Sequence, residues 1–300
     1  METLIKELEQ KNITLLKQEP MKKHTSFRIG GNADIYISPK SSEEIQSILF
    51  LAKKYDVPVT VMGNGSNLLV SDKGIRGIVI QIGEDMSTIL VKGEKITAQA
   101  GALLKTIGEK ALQSSLEGFA FAAGIPGSLG GAVCMNAGAY GGEIKDILVE
   151  AEVLTEDLQI KKFSTQQLQF SYRHSIIPEK GYIVLSATFL LKKGNQKEIA
   201  QKMTELAQQR REKQPLNFPS AGSIFKRPQG YFAGKLITDA GLKGYSIGDA
   251  QVSQKHGGFI VNKGNATCAD VLALIEHCQK TVFEKFGVML ETEVKMIGER

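Results

Sequence analysis

Residues 118–143 read GFAFAAGIPGSLGGAVCMNAGAYGGE. Gly118, Gly124, Gly127, Gly130, Gly131, Gly138, Gly141 and Gly142 fall within this stretch, between small apolar residues and with Pro126, Asn136 and Tyr140 as punctuation. Glycine accepts positive φ and lets another group approach the backbone, at an entropic cost of about 0.5–1 kcal/mol per residue. The stretch has neither the charge nor the Ser/Pro richness of a linker. Its glycine density points to a buried loop whose N–H groups cradle an anionic or planar ligand. The plainer alternative is a set of tight turns inside an ordinary core. Standard phosphate signatures are missing: there is no GxxxxGK[ST], and Gly63-Asn64-Gly65 lacks the third glycine of a dinucleotide fingerprint.

Upstream, residues 57–62 alternate as a strand and run into Gly63-Asn64-Gly65-Ser66-Asn67. A Rossmann unit needs a helix at this point. Here Leu68-Leu69-Val70, a turn at 71–74 and a further strand near 77–82 follow, so the glycine pair is a loop between strands. Before it lie an amphipathic helix start at the N-terminus, a polar lead-in to residue 23, a strand over 33–37 and a helix signalled by Ser41 or Ser42 with Glu44. After it come a strand over 96–100 and a helix over 103–116, with Leu104, Ile107, Ala111 and Leu112 on the buried side. Downstream of the glycine stretch, 147–154 and 182–191 are strand-like. The texture changes near residue 192, where 195–213 form a polar helix serving as the domain connection. A helix over 233–240, a strand over 259–261, a helix over 267–286 and a strand over 289–297 complete the chain. The pattern is α+β, with domains at 1–191 and 192–300.

The 300 residues suit about two domains, and 42% apolar with 23% charged content describes a globular protein. A net charge of +5, dispersed and with no tryptophan, favours an anionic small ligand over nucleic acid. Cys134, Cys268 and Cys278 show no CxxC spacing, so reduced thiols in a cytoplasmic protein are expected. No metal-ligand spacing, signal peptide or membrane-length apolar run is present in the sequence.

Six motifs in order carry a resemblance: HTSF at 24–27, GNGSNLLV at 63–70, AGIPGSLGGAVCMNAGAYGGE at 123–143, YRHS at 172–175, AGSIFKRP at 221–228 and LETEV at 290–294. Together they resemble the FAD-dependent UDP-N-acetylenolpyruvoylglucosamine reductases (UDP-N-acetylmuramate dehydrogenases) of peptidoglycan synthesis. The resemblance implies a two-subdomain FAD module of the vanillyl-alcohol-oxidase type, roughly 1–82 and 83–191, followed by a smaller α+β substrate domain over 192–300. With only 176–181 between YRHS and the next strand, the chain is similar to the shorter form of that family, which lacks a tyrosine loop. The implied cofactor is non-covalent FAD, reduced by NADPH. It is expected on Gly63, Asn64, Gly65, Ser66, Asn67 and Leu68, and on Gly124, Ile125, Pro126, Gly127, Gly130, Gly131, Asn136 and Gly138.

By the same resemblance Arg173 matches the catalytic arginine, Ser223 the proton donor and Glu293 the catalytic glutamate. From the residues alone, Arg173 reads first as a surface ion-pair partner and Ser223 as a turn or helix-start serine. Period two places Glu291, Glu293 and Lys295 on one strand face and does not choose between the glutamates; the family's glutamate-before-valine pattern picks Glu293. Tyr172, Lys213, Lys226, Arg227 and Lys243 are candidates for holding the sugar-nucleotide substrate. A monomer with small-molecule partners is expected, with neither nucleic acid nor metal. The competing readings are an oxygen-using flavin oxidase, a nucleotide-sugar binding module without turnover, and a nucleic-acid binder.

Overall fold

The computed structural model describes residues 1–299, and their contacts divide into two compact units. The first comprises Met1–Leu16, Tyr36–Asn64 and Gly77–Gln209; the second comprises Lys17–Ile35, Gly65–Arg76 and Arg210 onward. Compactness therefore divides the chain differently from the contiguous 1–191 and 192–300 expected from sequence. The division falls inside the GNGSN motif and inside the Gln196–Lys213 helix.

The first unit is built on a five-stranded antiparallel sheet in the order Ile160–Ser164, Leu148–Leu154, Ile183–Leu190, Lys95–Gln99, Ile89–Lys92. Ala151, Ala187 and Ala98 lie in register across its three central strands. These small buried side chains leave room on that face for the short helix Leu129–Cys134, which packs against Ile183–Leu190. Helix Leu104–Gln113 buries Leu104, Ile107, Gly108 and Ala111. Leu112, expected on that face, is only half-buried. In the same unit Val59–Met62 pairs in parallel with residues 78–81, with Val61 opposite Ile80. Helix Ser42–Lys54 starts where the sequence signals it: Ser41 Oγ accepts from Glu44 N at 3.3 Å.

The second unit has one continuous core formed by Phe27, Leu69, Ile224, Ile237, Val252, Ile260, Leu274 and Val282, all buried. A three-stranded antiparallel sheet, Ser246–Ile247, Ala250–Val252 and Ile260–Asn262, carries the long helix Cys268–Phe286. Lys295–Ile297 pairs in parallel with Leu68–Val70. The strand expected over 289–297 is regular only in these last three residues. Upstream of them Thr292 makes an isolated bridge to Phe225, and the backbone is otherwise irregular. Sequence reading also missed the strand Leu16–Pro20 and the single turn Met21–Lys23, whose alternation is masked by Lys17, Gln18 and Glu19.

Candidate functional site

The glycine stretch is strapped to the loop that follows Lys95–Gln99. Leu104 N donates to Gly127 O, Leu129 N to Ala102 O, and Gly130 N to Ala100 O at 2.8 Å. The apolar residues Ala122, Leu129, Ala132 and Val133 face the core, while Gly124, Pro126 and Gly131 are exposed. The segment is therefore a rim with a buried back rather than a buried loop. Gly130 is needed for close approach, since a Cβ there would lie 3.0 Å from Ala100 Cβ. Its N–H is spent on the protein.

The first half of the GNGSN motif meets this rim. Asn64 Nδ2 donates to Pro126 O at 2.7 Å, and Gln81 Nε2 steadies the loop through Gly63 O at 3.0 Å. A Cβ on Gly63 would fall 2.3 Å from Ser128 Oγ. That serine is 2% exposed and sits at the N-cap of Leu129–Cys134, yet makes no side-chain cap bond. Among the described residues its Oγ is one of two buried side-chain polar atoms without a hydrogen-bond partner. A buried hydroxyl is rarely left unsatisfied, so this one marks a place for a polar ligand atom. Ser128 was not among the residues expected from sequence; a polar residue alone within the apolar-glycine run was the available signal.

The second half of the motif belongs to the other unit. Gly65, at φ +63°, abuts the His24 carbonyl, which a Cβ would meet at 2.1 Å. Asn67 Nδ2 donates to Glu293 O at 3.2 Å and Asn67 O accepts from Lys295 N. Leu68 opens the strand paired with residue 295, and Ser66 lies between them.

Arg173 sits third in a tight turn closed by reciprocal Ser171–His174 backbone bonds, with φ +55°. Positive φ is uncommon for a residue with a Cβ and costs on the order of 1–3 kcal/mol. The guanidinium lies 4.9 Å from the Tyr172 ring, and its Nη2 donates to Gly138 O at 3.1 Å. Gly138 belongs to a small hairpin in which it pairs with Glu143. Asn136, expected among the cofactor contacts, is fully buried with its side chain occupied internally. Its Nδ2 donates to Glu143 Oε2 and to Ser171 O, and its Oδ1 accepts from Lys145 N. The Asn136 side chain is thereby committed to the protein.

In the second unit Ser223 and Glu293 lie on adjoining backbone. Ser223 bridges Phe259, Ile224 O accepts from Glu293 N at 2.7 Å, and Ser223 Oγ donates to Phe225 O at 3.1 Å. The two glutamates that sequence could not separate differ in setting. Glu291 is highly exposed and ion-paired to Lys226 at 3.1 Å, whereas Glu293 is half-buried. The irregular backbone breaks the period-two pattern that would have put them on one face. Of the substrate candidates, Lys226 is taken by this pair and Arg227 lies 4.0 Å over the Phe232 ring. Lys213 is exposed at the C-terminal end of its helix, and Lys243 is exposed beyond Leu242.

Fold and cradle together define an FAD-binding protein. Residues 33–164 match the FAD binding domain family, and the fold is the two-subdomain flavin arrangement of the vanillyl-alcohol-oxidase type with a smaller α+β part following. A Physcomitrella patens BBE-like 1 structure shares the fold, with a TM-score of 0.50 and 17% identity over 63% of this chain and 44% of that one. The unsatisfied Ser128 hydroxyl, seated against the bare face of Gly63, fits a polar atom of such a group.

Residues 214–297 match the UDP-N-acetylenolpyruvoylglucosamine reductase C-terminal domain. The reductase of Agathobacter rectalis is 61% identical, covering 95% of this chain and 94% of that protein. That of Caldanaerobacter subterraneus subsp. tengcongensis is 56% identical over 95% and 94%. The crystal structure of the Thermus caldophilus enzyme superposes with a TM-score of 0.81 at 36% identity, over 95% of this chain and 98% of that one. The chain belongs to the UDP-N-acetylenolpyruvoylglucosamine reductase family.

Proposed function

We infer that this chain is an FAD-dependent oxidoreductase that reduces UDP-N-acetylglucosamine enolpyruvate to UDP-N-acetylmuramate with NADPH, for peptidoglycan precursor synthesis. One observation carries the reading: a cradle in which Asn64 bonds Pro126 occurs in a chain whose relatives along 95% of its length are reductases of this name. The flavin module is taken as 1–191 and the substrate domain as 192–300, supported by family matches at 33–164 and 214–297. FAD, held at the two glycine loops, would supply the hydride-transfer chemistry between NADPH and the substrate.

The rest of the chemistry falls to side chains. Reduction of the enol ether puts hydride on C3 and a proton on C2, and negative charge gathers on the carboxylate between those events. Arg173, always charged and able to fork onto a carboxylate, stabilises that charge. The Ser223 hydroxyl delivers the proton to C2. A serine is a weak acid, and it suffices only for a strongly basic carbanion within hydrogen-bond reach. Glu293 is assigned to the reacting end of the substrate. Tyr172, Lys213, Arg227 and Lys243 bear on the sugar nucleotide, with Lys226 freed from Glu291 when substrate arrives. The working form is taken to be a cytoplasmic monomer; among the described residues no helix is long and apolar enough to cross a membrane.

The test is an anaerobic visible spectrum of the purified protein before and after NADPH, then after UDP-N-acetylglucosamine enolpyruvate. Flavin absorbance that bleaches and then returns supports both half-reactions. Bleaching without return removes the substrate assignment, and rapid return with oxygen alone favours an oxidase.

A further inference from the structure

The segment that bears Arg173 is fastened to the glycine stretch at both ends. Ahead of the arginine, Ser171 O accepts from Asn136 Nδ2 at 3.0 Å. Behind it, Ser175 Oγ donates to Cys134 O at 2.7 Å and also caps the turn Ile176–Glu179. These anchors fix the backbone of a residue held at positive φ, which needs surrounding structure to persist. A second set of contacts acts on the side chain. Arg173 Nη2 is bonded to Gly138 O, and a Cβ placed on Gly138 would lie 2.9 Å from Glu143 Cγ and 3.5 Å from Arg173 Nη1. Glutamate and guanidinium thus crowd the same bare face of Gly138.

Glu143 is itself fixed. Its Oε2 accepts from Asn136 Nδ2 at 3.1 Å and from Lys145 Nζ at 2.8 Å, and it caps the turn Ile144–Asp146. Burial pushes its carboxyl upward, but the bonds from Lys145 and Asn136 and the charges of Lys145 and Arg173 outweigh this and hold it below the usual carboxylate range. The carboxylate is therefore charged and immobile beside the arginine.

We propose that Glu143, locked by Asn136, is a positioning residue for Arg173, presenting its guanidinium in one orientation through the Gly138 face. The proposal rests on the reading of Arg173 as the residue that meets the substrate carboxylate. An arginine side chain has many rotamers to lose when it is held in one. Ordering it before substrate arrives removes that cost from the transition state, and small misplacements at such a group lower rates by as much as about 100-fold.

The test separates the half-reactions in single, double and control variants of the FAD-loaded enzyme. Glu143→Gln keeps size and most hydrogen bonding while removing charge. It should slow flavin reoxidation by the enolpyruvyl substrate about tenfold and leave bleaching by NADPH, FAD content and thermal midpoint near wild type. Arg173→Met should slow the same step further, and the double variant should be no slower than Arg173→Met alone. Asn136→Ala should reproduce the Glu143→Gln defect in the same half-reaction. Multiplying effects in the double variant, or wild-type reoxidation in Glu143→Gln, would overturn the positioning role while leaving Arg173 intact. Wild-type reoxidation in Arg173→Met would instead sink the reading of the arginine. Equal loss in both half-reactions with depleted FAD would show a purely structural role and also overturn the proposal.

Discussion

Glu291 and Glu293 are two residues apart and chemically identical, yet their settings differ. Glu291 is exposed and paired with Lys226, so its charge is compensated at the surface. Glu293 is half-buried, with both its N–H and its carbonyl engaged, by Ile224 O and Asn67 Nδ2. Glu293→Gln is expected to lower turnover with the enolpyruvyl substrate by about 10- to 1000-fold, and Glu291→Gln to change it less than about twofold. Steady-state kinetics on the two variants check this; the opposite ranking would reverse the assignment. The cysteines make a second residue-scale prediction. Burial raises the thiols of Cys134 and Cys278 to about 12 and that of Cys268 to about 11. At pH 8 almost no thiolate is present, so a disulfide reagent should label the folded protein slowly and the urea-unfolded protein at once.

At the scale of elements, the long helix Cys268–Phe286 shows how local and distant signals combine. Thr267 and Asp270 make a reciprocal capping box, and Gly287 closes the other end at φ +67°. Both are written in the local sequence. Asp72 is not. Its carboxylate accepts from Cys268 N at 2.7 Å and Ala269 N at 2.9 Å, from 196 residues away. Asp72→Ala leaves two donors at the first turn without that acceptor, and should lower unfolding stability by about 1–2 kcal/mol in a urea titration. The cradle gives the matching prediction for a loop. Gly63→Ala forces Cβ to within 2.3 Å of Ser128 Oγ. The purified variant should therefore carry less FAD, read as a lower ratio of flavin to protein absorbance. Ser128→Ala should weaken FAD binding without that clash.

For the molecule as a whole, acid stability turns in part on His256. Burial, and after it the nearby Lys243 charge, holds its pKa below the ordinary imidazole value despite a backbone contribution in the other direction. Its Nδ1 accepts from Gly258 N at 3.1 Å, which requires the neutral ring. The unfolded chain then binds a proton that the folded chain refuses, so this contribution is intact above about pH 6.5 and lost as pH falls from there toward the folded value. Thermal midpoints should drop between pH 7 and 5, and His256→Asn should flatten that drop. Unchanged slopes in the two proteins would remove His256 as the cause.

Much of the architecture was legible in residue order because it rests on local physics. Helix Ser42–Lys54 announced its start through Ser41 and Glu44, the strands at 148–154 and 183–190 through their apolar runs, and the glycine loops through glycine density. The six ordered motifs added the family. Residues 289–294 read as strand because alternation is present, but hydrogen bonds to residues 224–226 set their backbone instead. Likewise the division into compact units gathers 17–35 and 65–76 with the last ninety residues, a grouping set by contacts distant in sequence. The sequence by itself determined the elements, the glycine loops and the residue types able to carry the chemistry. Only tertiary structure decided which glutamate is sheltered, which buried serine lacks a partner and which carboxylate flanks Arg173. Those outcomes depend on desolvation and on hydrogen bonds between distant segments, and neither is encoded in spacing along the chain.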